Sequence, residues 1–337
     1  MNTRTRYFVI ASLLVTSVGL GTGLVAYYVG FPAGAFTRTG GPEELQYVPR
    51  DAAVIAFANV QEIMTSELRQ KIKSHVPIPE DGQREIQNAT GINIETDIDR
   101  IVACAYPESD GTNTRGAGMV LARGRFDEGR IEALMREHGG QVEEYKTKRL
   151  IVGDVSPAHP GGMAVAFVEP GLVAIGSTKV IRTAIDLHQS GNDPQAGVES
   201  VIGNEELMNL VRTLDSGNAW AVGRFDALTS HAHLPENVAS QLPAITWFSV
   251  STHINGGVRG ILRADTRDEE SANNLRDVVR GFLALGKLSS GSKPELQAMM
   301  QSLELGGTGK SVALSFDVPA AVFDVISGMV PKGLPKH

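Results

Sequence analysis

The hydrophobic pattern begins with one long apolar run over residues 7–30, which contains no charged residue. At a rise of about 1.5 Å per residue, about 20 apolar residues in a helix cross the hydrocarbon core of a bilayer. The apolar part of a cleaved signal peptide is shorter, about 7–15 residues. The length therefore favours an uncleaved transmembrane anchor at residues 7–30, with a cleaved signal peptide and a buried helix as the alternatives.

Charge and composition around this run predict its orientation. Arg4 and Arg6 precede it, and basic residues beside a first membrane segment stay on the cytoplasmic side. Residues 1–6 are thus predicted to be a cytoplasmic tip, with the rest of the chain outside the cytoplasm. Residues 31–48 are rich in Gly, Pro and Thr and show no apolar period, which is typical of a tether.

Small residues recur along the predicted anchor at spacings of four, three and four: Ser12, Thr16, Gly19 and Gly23. They share one side of a helix, and small side chains let two membrane helices approach closely. The stripe is a candidate helix-pairing surface. Because Gly and Ser are common in membrane helices, it is also compatible with an unpaired anchor.

Beyond the tether, short alternating or apolar segments are separated by amphipathic ones, a pattern that predicts an α+β fold with mainly antiparallel sheets and helices. Pro170-Gly171 and Asn255-Gly256 indicate tight turns between paired strands. Polar residues in front of apolar stripes predict helix N-termini. These are Asn59, Asp127, Asn204, and Thr266 with Glu269 as a capping box.

The order of elements starts again at Asn218. A strand running into a helix occurs at residues 53–63 and again at 218–228, with Phe225 and Leu228 in the places of Val60 and Ile63. Two further segments correspond in the same order, 121–128 with 262–269 and 164–188 with 303–329. The repetition predicts a duplicated ectodomain of two similar halves, residues 49–190 and 204–330, each of ordinary domain size.

Composition excludes some functions. The chain of 337 residues carries a net charge of -7, and nucleic-acid binding demands a basic surface, so no nucleic-acid partner is expected. Its 42% hydrophobic and 20% charged residues are typical of a folded protein. The single cysteine, Cys104, cannot form an intramolecular disulfide, so the exported domain must be stable without one.

The order of predicted elements begins with a strand at Asp51-Ala52-Ala53 and a helix, followed by Thr90-Gly91-Ile92-Asn93 with acidic residues to Asp99. A strand pair, a helix and a hairpin complete it. This order resembles exported or membrane-anchored bacterial envelope proteins assigned to domains of unknown function. The resemblance covers most of residues 48–330. It implies a protein of the bacterial cell envelope and no particular activity.

One segment ends like a phosphate-binding loop, Gly306-Gly307-Thr308-Gly309-Lys310-Ser311. A phosphate-binding loop also needs a glycine at position 304, which is Glu304, and a helix after the serine, where the residues alternate as a strand. We expect a hairpin turn and no nucleotide.

Ser249, Ser251 and His253 share the polar side of one predicted strand. A serine nucleophile needs its base within about 3 Å, whereas residues two apart on a strand are separated by roughly 6.6 Å. These three residues alone therefore do not form a catalytic pair. A hydrolase whose site is assembled from distant residues is the alternative.

No motif indicates a metal or a cofactor. His231 and His233 lack further ligands for a tetrahedral site. Glu95, Asp97 and Asp99 lack the glycine and terminal glutamate of a calcium loop. Cys104 lies in an apolar strand with no charge nearby to activate its thiol.

The sequence thus predicts a single-pass protein of the bacterial cytoplasmic membrane with its main domain extracytoplasmic, acting as a non-catalytic binding or scaffold protein. Its expected partners are the lipid bilayer, through residues 7–30, and a protein of the envelope, with a second copy of the chain included. An accessory subunit of a larger envelope complex is a further alternative.

Overall fold

The computed structural model describes residues 41–75, 87–88, 90–106, 118–153, 162–190, 197–227, 244–289 and 294–322. The predicted tip, the anchor at 7–30 with Ser12, Thr16, Gly19 and Gly23, and most of the tether lie outside these residues. Within the described ranges, no helix has both the length and the apolar character needed to cross a bilayer.

The fold is α+β, with one large antiparallel sheet and helices, as predicted. The sheet has twelve strands in the order β11-β12-β10-β9-β8-β1-β2-β3-β7-β6-β5-β4. Their bounds are β1 Val54–Ala58, β2 Ile98–Ala105, β3 Gly118–Gly124, β4 Gln141–Tyr145, β5 Lys148–Val152, β6 Met163–Glu169, β7 Leu172–Ser177, β8 Ala219–Arg224, β9 Ile245–Ile254, β10 Gly257–Thr266, β11 Glu304–Gly306 and β12 Ser311–Pro319.

The helices lie on both faces of this sheet. Their bounds are α1 Val60–Thr65, α2 Glu67–His75, α3 Ile94–Asp97, α4 Glu128–Glu137, α5 Thr178–Ser190, α6 Glu205–Arg212, α7 Glu269–Ser289 and α8 Pro294–Ser302. Two short 3₁₀ helices span Glu43–Tyr47 and Val201–Gly203.

Three predicted N-caps are confirmed and one is wrong. The side chains of Asn59, Asp127 and Asn204 each accept a hydrogen bond from the first turn of the helix that follows. The predicted capping box at Thr266 does not form, because Thr266 ends β10 and its hydroxyl donates to main-chain carbonyls. Asp268 is the cap of α7, accepting from the Ser271 N–H at 2.8 Å.

The strands on the two sides of the central pair, β1 and β8, are arranged alike: on each side the first two strands along the chain are followed by a hairpin whose second strand lies nearer the centre. On one side follow β2, β3, β7 and β6, and on the other β9, β10, β12 and β11. The hairpin of β4 and β5 extends the first side only. The match of residues 53–63 with 218–228 equates Ala56 with Ala221, and the sheet pairs these two residues directly.

The sheet has two differently covered faces, because successive side chains of a strand point to opposite sides. We call the side with Ile55 and Phe57 the α5 face. We keep the names first half and second half for the predicted ranges 49–190 and 204–330. In the first half the α5 face is buried under α5 and the first 3₁₀ helix and forms the main apolar core. The other side, the α7 face, is covered in the second half by α7, whose Leu275 packs on Ala264.

The end of the predicted tether is part of the folded domain. Residues Glu43–Tyr47 form a 3₁₀ helix, and Leu45, Tyr47 and Val48 are buried in the main core. The Gly- and Pro-rich composition of residues 31–42 does not extend to this apolar triplet. Only residues up to the start of the 3₁₀ helix therefore retain the composition of a tether.

Candidate functional site

The α5 face changes from apolar to polar as it crosses the two central strands. In the first half, one row of directly opposed residues reads Phe57, Val102, Leu121, Ala174 and Ala166. The equivalent row in the second half reads Val222, Ser249, Arg263, Ala313 and Gly306. The core positions of the first half are thus occupied by a hydroxyl and a guanidinium in the second.

The neighbouring row shows the same replacement. It reads Ile55, Cys104, Met119, Gly176 and Ala164 in the first half. In the second half it reads Trp220, Ser251, Ile261, Ser315 and Glu304. Beyond β8, this row carries hydroxyl and carboxylate side chains at Ser251, Ser315 and Glu304, with Ile261 as its one apolar member.

Sequence comparison alone misassigns these strands by one residue. Alignment by sequence equates Leu121 with Leu262, whereas the sheet register equates Leu121 with Arg263. The sequence alignment matches the helix caps Asp127 and Asp268, and the connection from strand to cap is one residue shorter in the second half. A one-residue shift moves every side chain to the opposite face, so Leu262 lies on the α7 face.

A shallow hollow of about 420 Å³ lies on the polar part of the α5 face. We call its floor and rim the open face: Ser251, His253, Arg259, Ile261, Glu304, Ser315 and Asp317. Asp215 and Ser302 stand at opposite sides of it. In the first half α5 occupies the corresponding place, whereas Ala320, which follows β12, packs on the α7 face with Ile254 and Val258.

Hydrogen bonds fix both walls of the hollow. Arg263 donates to the Asp215 carboxylate at 2.9 Å and to the Thr213 carbonyl, which fastens the loop before β8 to the sheet. On the other side, the Ser302 hydroxyl accepts from the Asp317 N–H at 3.0 Å and donates to the Asp317 carbonyl at 2.6 Å. The end of α8 is therefore held to β12.

The side chains between these walls make few bonds of their own. Ser249 and Ser251 are 5% and 3% exposed, yet their hydroxyls have no hydrogen-bond partner within the described ranges. His253, Arg259 and Asp317 stand directly opposite one another on β9, β10 and β12. Their side chains form no hydrogen bond or ion pair with any described residue. Of these residues, Ser251, His253, Arg259 and Asp317 line the hollow, so their donor and acceptor groups face it unengaged.

Ser249, Ser251 and His253 lie on one side of β9, as predicted. No hydrogen bond joins either hydroxyl to the imidazole in the part of the chain that the structure describes. No described carboxylate is bonded to His253 to orient it as a base. The arrangement offers polar contacts to a ligand but lacks the nucleophile–base bond of a serine hydrolase.

The glycine-rich segment that resembles a phosphate-binding loop is a hairpin turn, as predicted. It joins β11 to β12, and Gly307 and Gly309 adopt φ angles of 90° and 56°. The N–H of Ser311 closes the turn on the Thr308 carbonyl. Because a strand follows, no helix N-terminus is available to hold a phosphate.

The residues considered as metal ligands lie apart or are already paired with arginines. Glu95 pairs with Arg69 at 2.6 Å, and the Arg125 side chain lies within 3.6 Å of Asp97 and 4.0 Å of Asp99. His231 and His233 lie outside the described residues. Among the residues that are described, no three His, Cys, Asp or Glu side chains gather where a metal ion would bind.

Cys104 lies in the main core beside Tyr106. Burial is the main cause that raises the pKa of its thiol to about 12, although a contact at 3.4 Å with the Tyr106 hydroxyl opposes the shift. Since the thiolate is the reactive form, Cys104 is inert at neutral pH.

A buried charge network was missed by the sequence analysis. Glu44 is 1% exposed, and one of its carboxylate oxygens accepts from Arg100 at 2.8 Å and from Arg123 at 2.9 Å. Arg123 also binds Glu169 at 2.8 Å, and Glu169 accepts from the Tyr47 hydroxyl at 3.1 Å. The paired glutamates at 43 and 44 are the sequence signal for it, and they lie within the segment predicted to be the tether.

The network shifts the ionisation of its members. Burial followed by the Glu169 carboxylate raises the pKa of Tyr47 to about 12. Burial alone would raise the pKa of Glu169, but the hydrogen bond and charge of Arg123 outweigh it and lower that pKa. The network holds the first 3₁₀ helix on the sheet at the point where the chain enters the domain.

The chain is similar to a solved structure but to no family model. No protein-family model matches the chain, and no curated protein matches it. A chain in crystal form I of TP0453 is 10% identical, with a TM-score of 0.44, over 86% of this chain and 98% of that one.

Proposed function

We propose that this chain is a membrane-anchored, non-catalytic binding protein of the bacterial cell envelope whose open face binds a hydrophilic ligand or partner. One observation carries the proposal. The same face of one continuous sheet is apolar and covered by α5 in the first half, whereas in the second half it is polar and carries a hollow open to solvent.

An internal duplication would explain how the two parts of this face came to differ. We infer that the two halves are diverged copies, since the strands follow the same order outward from β1 and β8 and Ala56 pairs with its own counterpart Ala221. In one copy, α5 packs Ile181 and Ile185 into the core. In the other copy, Ser249 and Arg263 stand at the positions of Val102 and Leu121. Burial of these polar groups under an apolar helix would cost free energy, because they would lose their hydrogen bonds to water.

The anchor and its orientation rest on the sequence. The uncharged run at residues 7–30 and the preceding Arg4 and Arg6 support a single-pass segment with the domain outside the cytoplasm. The chain enters the folded domain at the first 3₁₀ helix, which the Glu44 network binds to the sheet. The open face would then be presented to the envelope on a domain attached firmly to its tether.

The proposal is tested by affinity capture of the full-length chain from native membranes, after reversible cross-linking. Ile261→Trp fills the floor of the hollow, and Arg280→Ala alters an exposed arginine on α7 as the matched control. We expect the wild type and Arg280→Ala to retain the same specific partner or ligand and Ile261→Trp to lose it. Equal recovery with all three proteins, each shown to be folded by its thermal melting curve, would refute the open face as the binding surface.

The anchor is tested separately. We expect the chain to remain in the membrane fraction after alkaline extraction, and protease added outside spheroplasts to digest residues 50–330. Release into the soluble fraction, or protection of the domain from protease, would contradict the proposed topology.

A further inference from the structure

We infer that the open face binds an anionic group, a carboxylate or a phosphate, between Arg259 and His253, with the Ser251 hydroxyl as a further donor. The inference rests on the proposed function and specifies the chemistry of the ligand. It concerns one end of the hollow, where three side chains with donor groups converge from two neighbouring strands.

The sheet register brings these groups together. Arg259 and His253 are directly opposed on β10 and β9, so their Cβ atoms are about 5 Å apart. Ser251 lies on the same side of β9, roughly 6.6 Å along the strand. A guanidinium offers two parallel N–H donors that match a carboxylate or a phosphate, and an imidazole and a hydroxyl can each donate one more.

Two arginines on the same face of β10 differ in what they already bind. Arg263 is engaged by the Asp215 carboxylate and the Thr213 carbonyl. Arg259 is exposed and has no described carboxylate within 4.0 Å, although Asp317 stands directly opposite it on β12. An arginine without a fixed partner keeps its donors for a ligand, so Arg259 rather than Arg263 is the anion-binding residue.

Two carboxylates near Arg259 would oppose an anionic ligand and favour a cationic one. Asp317 is adjacent to Arg259 and competes with a bound anion, whereas Glu304 lies roughly 12 Å away, two strands across and one row along. A cationic ligand would instead use Asp317 and Glu304. Removal of the Asp317 charge therefore has opposite effects on the two kinds of ligand.

The test is calorimetric titration of the full-length chain in nanodiscs of neutral lipid, at constant ionic strength, with inorganic phosphate and separately with acetate. We expect Arg259→Ala to weaken binding of the preferred anion about tenfold, since a hydrogen bond to a charged group is lost. Asp317→Asn should strengthen it about threefold, and Arg280→Ala should leave it unchanged. The stronger of the two probes identifies a phosphate or a carboxylate ligand.

The inference would be overturned by any one of three results. These are no binding of either anion by the wild type, equal binding by the wild type and Arg259→Ala, or weaker binding by Asp317→Asn than by the wild type. The proposed function would fail differently. If Ile261→Trp abolishes capture from membranes while Arg259→Ala does not, the open face remains the binding surface and the anion site is refuted. If Ile261→Trp also has no effect, the open face itself is refuted.

Discussion

Ala56 and Ala221 lie directly opposite each other at the centre of the sheet, and they are also the residues that the internal sequence match equates. A pair of equivalent residues that face each other is the arrangement expected at a local two-fold axis. Strands β1 and β8 therefore join the two predicted halves edge to edge in one continuous sheet, and the α5 face is covered differently on the two sides of this pair.

A disulfide tests this central register. The main-chain bonds between Arg224 and Ala53 and between Asn59 and Asn218 identify the hydrogen-bonded pairs, so Ala56 and Ala221 form a non-hydrogen-bonded pair with Cα atoms about 4.5 Å apart. In a Cys104→Ser background, we expect Ala56→Cys with Ala221→Cys to oxidise to an intramolecular disulfide, detected by peptide mapping.

The control for this disulfide is Ala56→Cys with Ala219→Cys. That pair is diagonal on the same face, with Cα atoms roughly 7–8 Å apart, beyond the usual range for a disulfide. Oxidation of the control pair in place of the first would mean that the register between β1 and β8 is different.

The Glu44 network predicts unequal effects for two adjacent glutamates. Glu44→Ala leaves Arg100 and Arg123 without their buried carboxylate, and we expect the free energy of unfolding to fall by about 3 kcal/mol. Glu43 is 59% exposed at its side chain and also pairs with Arg100, so Glu43→Ala should cost about 0.5 kcal/mol or less. Urea denaturation measures both, and equal losses would contradict the assignment of Glu44 as the buried centre.

Alkaline pH should destabilise the protein through Cys104. Its thiol has a pKa of about 12 in the folded state against an ordinary value of 9.0, chiefly because of burial. The unfolded chain therefore releases the proton first, and the contribution to stability is present below pH 9.0 and is lost as the pH rises towards 12.

The measurement is the urea midpoint at increasing pH for the wild type and Cys104→Ser, whose hydroxyl does not ionise in this range. Tyr47 and Tyr106, whose pKa values burial also raises, contribute losses of the same sign in both proteins, so the difference between them reports chiefly the thiol. We expect the two curves to converge or cross as the pH rises, and parallel curves would show that the thiol ionises equally in both states.

The turn between β4 and β5 carries local strain. Lys146 and Thr147 have φ angles of 45° and 66°, a region that a β-branched residue rarely adopts. We expect Thr147→Gly to raise the free energy of unfolding by about 1 kcal/mol, because glycine adopts this conformation readily. Thr147→Ala, which keeps a Cβ atom, is the control and should give less than half of the gain in thermal or urea denaturation.

Local signals in the sequence predicted much of the fold. The turns after Glu169 and Ile254 and the caps at Asn59, Asp127 and Asn204 depend on neighbouring residues, and they formed as expected. Thr266 does not cap α7, because it is the last residue of β10 and its hydroxyl donates to the carbonyl of Lys310, which is 44 positions away in the chain. Strand pairing across the sheet overrode the local preference.

The candidate site was only partly predictable for the same reason. The shared side of Ser251 and His253 follows from alternation along one strand. Their proximity to Arg259 and Asp317 depends on the register of β9, β10 and β12, which the sequence pattern does not specify. A shift of one residue, as in the alignment of Leu121 with Leu262, would have assigned the polar residues to the wrong face.

The most direct test of the central claim is a photo-reactive amino acid placed at Ile261, on the floor of the hollow, and in a separate protein at Phe282, which is 63% exposed on α7. Both full-length proteins are irradiated in native membranes and the adducts are identified by mass spectrometry. We expect a specific adduct at position 261 and none at position 282. An adduct at 282 without one at 261 would contradict the account, because the binding surface would then be the exposed apolar side of α7.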